Sequence, residues 1–254
     1  LEFRRVLFRS GGWAGSSIST LISDDEGLTW SRPQRLISSP LLNLSTLVKS
    51  PALQFSDGRL GLPAYHEWIG RFGEFLRIDA SQVIDKRRMS SGRGAIQPVV
   101  FIDASQEASA FFRQTRSSSQ PKHIPVSETK DAGWSWAVTK DLEIPNPNSA
   151  IAALTLANGT RLMVLNNIEA GRYRLVMVMR ESNSTQWQVI QVLEDDESLA
   201  HDQRREFSYP YLISANGEDA HLAYTWDRKK IKHVYFPAAW FKHVVSSVKE
   251  KEVQ

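Results

Sequence analysis

Apolar and polar positions along this chain alternate in short runs rather than in helical turns. Segments rich in Val, Ile, Leu, Phe, Tyr and Trp recur, each closed by a turn dipeptide. This spacing predicts β-strands joined by tight loops. Four segments share one plan: PALQFSDGRLGLPAYH from Pro51, PVVFIDASQEASAFFR from Pro98, SAIAALTLANGTRLMVLN from Ser149 and PYLISANGEDAHLAYTW from Pro210. Each reads as an apolar strand, a turn and a second apolar strand. Three of the turns carry Asp57-Gly58, Asn158-Gly159 and Asn216-Gly217. These residue pairs tolerate positive φ in a two-residue hairpin.

The segment starts are separated by 47, 51 and 61 residues. A hairpin that recurs at this period does not bury both its faces by itself. Radial stacking of four-stranded blades does bury them, so the expected fold is an all-β propeller rather than a β-sandwich. A second repeat lies in the turns. SDDEGLTW, Ser23 to Trp30, and TKDAGWSW, Thr129 to Trp136, both fit S/T-x-D-x-G-x-T/S-W, with their tryptophans 106 residues apart. Trp187, in RESNSTQW, follows 51 residues after the second. The pattern has the chemistry of a turn. Aspartate accepts backbone N–H bonds inside the loop, glycine supplies the difficult backbone angle, and tryptophan packs between blades. Asp25 and Asp131 are therefore expected to fasten the fold rather than to catalyse.

Composition narrows the functional classes. The 254 residues are 41% hydrophobic and 23% charged, an ordinary globular balance. The net charge of +3 comes from 31 basic and 28 acidic residues spread along the chain, which argues against nucleic acid as the main partner. No run of 18 apolar residues occurs, so no membrane-spanning helix is expected. The lack of cysteine excludes disulfides and thiolate catalysis but does not fix the compartment, and secretion or a periplasmic location stays open. Residues 1–10, LEFRRVLFRS, do not continue the pattern and read as a non-native leader, with the propeller domain running from 11 to 254. No cofactor is expected. No metal-binding spacing stands out among the six histidines, the nearest pair being His221 and His233.

The two turns match the Asp-box of sialidases and their relatives, the BNR-repeat family. KSPALQFSDGRLGLPAYHE, NPNSAIAALTLANGTRLMVLNN and EFSYPYLISANGEDAHLAYTWDRKKIKHV resemble segments of bacterial sialidase-like proteins. The resemblance runs from about Gly11 to about Phe241. It implies a six-bladed propeller, of which about four and a half blades are expected here, near 11–46, 47–94, 95–146, 147–204 and 205–254. At least one blade and the closing strand are expected to be missing on the N-terminal side. The family binds a sugar carboxylate with three arginines and uses a tyrosine nucleophile, a glutamate that helps it and an aspartate acid/base. Planar guanidinium groups suit a carboxylate because they pair with it bidentately and stay charged.

Carried over residue by residue, Tyr209 in SYPYL resembles the nucleophile. A neutral tyrosine needs a partner to take its proton. Arg113, ending ASAFFR, resembles the second arginine. Arg172 in GRYRL resembles the third, with Arg174 as a register alternative. The first arginine would lie upstream of the first box, and Arg4 and Arg5 do not match its context. Two departures matter. The place of the glutamate, sixteen residues before Arg113, is held by Gln97, whose amide is no base. The loop before the first box reads GGWAGSS and carries no carboxylate. Glu206 and Glu67 are possible substitutes.

The segment YHEWIGRFGEFLR places His66 beside Glu67 at a strand end, a pair suited to acid/base chemistry near neutral pH, or a polar blade-edge loop. Lys49 and Arg228 are candidate ligands of an anionic sugar, as basic residues beside the expected pocket. The resulting expectation is a sialidase-like glycosidase of exo-α-sialidase type acting on acidic glycans. The alternatives are a propeller that binds glycan without cleaving it and an enzyme for another uronic-acid-containing glycan.

Overall fold

A computed structural model of the chain describes residues 2–6, 16–38, 45–79, 82–116 and 121–244. The chain divides into two compact units, Leu1–Ser118 with Pro125–Leu142, and Ser119–Ile124 with Glu143–Gln254. The first unit contains three antiparallel sheets of propeller-blade type. The strands Glu2–Val6, Ser17–Leu21 and Gln34–Arg35 form one. The next orders Leu47–Val48, Leu60–His66, Phe72–Asp79 and Gln82–Arg88, with Leu53–Gln54 extending the innermost position. The last orders Ala95–Ile102, Ala108–Gln114, Val126–Thr129 and Ala137–Val138. In the second unit, Ala152–Thr155, Arg161–Leu165, Arg174–Arg180 and Gln188–Asp195 make a four-stranded sheet, and Phe207–Ile213, Ala220–Trp226 and Lys230–Phe236 a three-stranded one. The fold is all-β. Residues 2–6, in the expected leader, pair antiparallel with Ser17–Leu21, Glu2 opposite Leu21.

The sequence pattern explains how these sheets pack. Strands covered on both faces are continuous apolar runs. RLVMVMR, for example, buries Leu175 to Met179 without a break. KIKHVYF alternates and leaves Lys230 and Ile231 exposed, with lysines blunting a sheet edge. In the second unit one core joins the two sheets through Leu162, Val164, Met177, Phe207, Leu222 and Phe236. In the first unit Phe55, Phe75, Met89 and Phe112 form one cluster, and Ile18, Leu36, Leu62 and Leu76 another. Each such side chain contributes roughly 1.5–3 kcal/mol through burial. Residues 238–244 turn helical after Pro237, and Phe241 returns to the core of the second unit.

The hairpin turns differ in kind from the two-residue loops expected. Gly58 and Gly159 take φ of 79° and 82°, while Asp57 and Asn158 do not take positive φ. Gly58 N–H donates to the Phe55 carbonyl at 3.0 Å and Gly159 N–H to that of Leu156 at 2.9 Å. These are three-residue loops whose glycine makes a bulge. The Asp57 and Asn158 side chains each accept the N–H two residues on, from Arg59 and Thr160, at 3.0 Å.

The two aspartate turns repeat one hydrogen-bond pattern. Thr29 N–H donates to Asp25 Oδ1 at 2.9 Å, and Ser135 N–H to Asp131 Oδ1 at 2.8 Å. The hydroxyls of Thr29 and Ser135 donate to the second carboxylate oxygens at 2.5 and 2.6 Å. Gly27 and Gly133 donate to the hydroxyls of Ser23 and Thr129. The Thr29 and Ser23 bonds lower Asp25 to about 2. Burial raises Asp131, but the Ser135 and Thr129 bonds outweigh it and hold the carboxyl below its usual value. These carboxylates are consumed by their turns, as a fastener requires. The tryptophans diverge. Trp136 packs on Phe75 at 5.3 Å, whereas Trp30 stays 42% exposed and bonds to its own turn through Gly27. Burial between blades therefore holds for one copy and not the other. The second turn is also gripped by the fully buried Arg77, which donates to the Ala132 carbonyl and to Asp57 and stacks on Trp134 at 4.5 Å.

Candidate functional site

In the second unit, the strand Phe207–Ile213 opens with a bulge. Ser208 pairs with Thr225 and Tyr211 with Ala223, so Tyr209 and Pro210 are left between the two registers. Tyr209 sits at φ 52°, in the left-handed region that costs a non-glycine residue about 1–2 kcal/mol. The bulge re-aims the side chain, and Tyr209 emerges 49% exposed from a strand whose flanking Ser208 and Pro210 are buried. Among the described residues its hydroxyl has no hydrogen-bond partner. Its ring lies beside the Arg172 guanidinium, 5.7 Å from ring centroid to Cζ.

Arg172 is fixed from two sides. Nη1 donates to Glu206 Oε1 at 3.1 Å and Nη2 to the Asn148 carbonyl at 3.0 Å. Arg174, the register alternative, bonds Glu197 at 3.1 Å instead. Glu206 also accepts from Ser208 at 2.9 Å and pairs with Arg228 at 2.7 Å. Burial raises Glu206, but the Arg228 and Ser208 bonds and the two arginine charges hold it below the usual carboxylate value. It is ionised at neutral pH. Arg228 reaches it through a hairpin whose two central residues, Asp227 and Arg228, both take φ of 51°. Thus Arg172 and Arg228 come together on Glu206, which sequence reasoning raised only as a substitute, and Tyr209 joins the group through Arg172. The position of Glu206, three residues before the tyrosine, is the local signal, but its two arginine partners come from other loops.

In the first unit, Arg113, Gln97 and Lys49 form another cluster. Arg113 Nη1 donates to Gln97 Oε1 at 3.2 Å, and Gln97 Nε2 donates to the Tyr65 hydroxyl at 3.3 Å. Gln97 is buried, with φ 51°, again in a bulge before a proline. Burial, then the Arg113 charge, lowers Lys49 to about 7, so this lysine loses its proton near neutrality. Tyr65 was missed by the sequence reading. Its pairing with Gln97 joins two separate sheets and leaves no local trace.

His66 and Glu67, the adjacent candidates, lie at the end of the strand Leu60–His66. His66 Nε2 accepts the Ile69 N–H at 3.2 Å and the ring stacks on Phe72 at 4.9 Å. Burial and the charges of Lys86 and Arg88 lower its pKa. Glu67 donates its backbone N–H to Ser45 Oγ at 3.0 Å. Among the described residues no bond joins the two side chains. His221 and His233 stand 3.1 Å apart across two strands. Among the described residues no group of three His, Asp or Glu residues could hold a metal ion, and no helix is long and apolar enough to cross a membrane. GGWAGSS overlaps residues 11–15, outside the described residues.

The blade-type sheets, the repeated aspartate turns and the bulged inner strands define an all-β protein of the sialidase-like propeller class. The chain belongs to the BNR repeat-like domain family, which matches residues 3–222. No curated protein matches it. Among solved structures it resembles a Hadza microbial sialidase, Hz136 (TM-score 0.64, 14% identity, 87% of this chain and 44% of that one). It also resembles the intramolecular trans-sialidase from Ruminococcus gnavus, solved with oseltamivir carboxylate (0.65, 16%, 89% and 51%). A third is the NanB sialidase from Streptococcus pneumoniae (0.62, 13%, 87% and 36%). The chain spans about half or less of the length of these structures. At such identities the likeness is one of fold.

Proposed function

We propose that this chain carries the machinery of a sialidase-type glycoside hydrolase acting on acidic glycans. The observation that carries the reading is Arg172, which touches both the ring of a half-exposed, unbonded Tyr209 and the carboxylate of Glu206. Tyr209 Oη is the proposed nucleophile and the ionised Glu206 the acceptor of its proton. The new bond joins Oη to the anomeric carbon as the bond to the leaving oxygen breaks, and that oxygen takes a proton from solvent. Water then attacks the same carbon and gives one proton back to solvent, the bond to Oη breaks, and Tyr209 recovers its proton from Glu206. Arg172 is the proposed carboxylate ligand, shared with Glu206, and a guanidinium suits that role because it stays charged at any working pH. Arg113 and Lys49 are proposed anion ligands on the first unit, where Arg113 already bonds Gln97.

One observation favours a non-cleaving glycan binder. Gln97 replaces the expected glutamate and is spent on Arg113 and Tyr65. Release of fluorophore from a sialoside and from a glucuronide separates the readings. Release from the sialoside supports the hydrolase. Release from the glucuronide alone shifts the substrate to uronic acids. A folded chain that binds sialoside and releases nothing is the binder.

A further inference from the structure

The second unit contains a cavity of about 480 Å³ beside Arg172 and Glu206. Its wall is unusually cationic, with Arg172, Arg204, Arg205 and Arg228 all lining it. Three of these four guanidinium groups are paired directly with a carboxylate, and Arg205 also feels the charges of Glu194 and Asp227. Glu206 is shared by Arg172 and Arg228, and Asp196 holds Arg205 at 2.5 Å. Arg204 has no carboxylate partner among the described residues. It is nevertheless held in place. Nε donates to the Leu199 carbonyl at 3.0 Å, Nη2 to the Glu197 carbonyl at 2.8 Å, and the guanidinium lies over the Tyr173 ring at 4.3 Å. Neutral carbonyls and an aromatic face orient the group without cancelling its charge. His201, also on the wall, is exposed and has no bonded partner among the described residues.

We infer that this cavity is a binding subsite for a second anionic substituent of the glycan, a sulfate or carboxylate, with Arg204 as its principal ligand. A guanidinium fixed in advance loses little freedom on pairing with an oxyanion and can engage it with two parallel N–H bonds. The volume lies in the range of small-ligand sites. The inference deepens the acidic-glycan reading and rests on it for the substrate class, so the preferred glycan carries two negative groups rather than one.

Calorimetry of the whole chain with N-acetyllactosamine 6-sulfate and with its unsulfated parent tests this. The sulfated probe should bind about tenfold or more tightly, the scale of one charge-assisted hydrogen bond. Arg204→Gln should abolish the preference, and Arg204→Lys should restore part of it. Sodium sulfate should displace the sulfated probe from the wild-type chain where sodium chloride of equal ionic strength does not. That competition decides the matter if Arg204→Gln fails to fold. Equal binding of the two probes, a preference that survives in folded Arg204→Gln, or no specific competition by sulfate would each overturn the subsite. Turnover plays no part in these readouts. A chain without hydrolytic activity would leave the subsite standing, and its failure would leave the Tyr209 chemistry standing.

Discussion

Gln97 and Tyr209 hold the same place in two copies of one strand. Each is the third residue of its strand, each precedes a proline, each has φ near 50°, and each lies in a bulge against the next strand. The surroundings differ. Gln97 is 6% exposed and bonded at both ends of its amide, while Tyr209 is 49% exposed with a ring beside Arg172 and a carboxylate nearby on the same arginine. The repeat therefore supplies a backbone device that presents one side chain, and the neighbours decide whether that side chain braces the fold or is left available for chemistry. Strain of this kind is retained where the structure over-determines it, and here the bulge holds it against the extended backbone that a following proline favours.

The sharpest way to break the comparison is Tyr209→Phe. It should lower turnover of a sialoside by about a thousandfold or more while the melting midpoint stays put, because the removed hydroxyl has no partner among the described residues. A parallel loss of stability, seen in a thermal melt, would make Tyr209 a brace like Gln97. Next in size is Arg172→Lys. The charge survives but the fork that spans Glu206 and Asn148 does not, so kcat/KM should fall about tenfold to a hundredfold in steady-state assays.

Gln97→Ala should act on stability. It removes one hydrogen bond from Arg113 and one from the Tyr65 hydroxyl and should cost about 1–3 kcal/mol in urea denaturation, against a much smaller change for Tyr209→Phe. Lys49 provides a pH signature of the Gln97 side. Its folded pKa of about 7 lies below the ordinary lysine value of 10.5, so the unfolded chain holds more protons between those values. Stability should therefore rise with pH across that window, and denaturation curves of Lys49→Met should lose that rise. The smallest effect is expected at Asp25. Its turn is solvent-facing and Trp30 exposed, so Asp25→Asn should shift the melting midpoint less than Asp131→Asn, whose turn is locked by Arg77 and Phe75.

Much of the fold was legible because it is written locally. The aspartate turns, the glycine-closed hairpins and the roughly fifty-residue period all lie within short windows, and the sheets fall close to the expected blade intervals. The glycine bulge was misjudged because Asp-Gly and Asn-Gly serve both two- and three-residue loops. The site was only partly legible. Tyr209, Arg172 and Arg113 stood out through the resemblance, whereas the Gln97–Tyr65 and Arg172–Glu206 bonds join residues 32 and 34 apart. A shared signal was present in Gln97-Pro98 and Tyr209-Pro210, two X-Pro pairs opening inner strands. Its meaning depends on a backbone angle that no local pattern reveals. His66 and Glu67 show the converse: they are neighbours in sequence, yet no bond joins their side chains among the described residues. Adjacent residues at a strand end point to opposite sides.

The most direct test of the central claim is covalent trapping at Tyr209. A difluorinated sialic acid, whose fluorines slow both formation and breakdown of a glycosyl-enzyme, would be incubated with the folded chain and the digest read by mass spectrometry. One glycosyl adduct is expected, on the peptide bearing Tyr209 and absent in Tyr209→Phe. An adduct on another residue, or none from a chain that turns over sialoside, would contradict it.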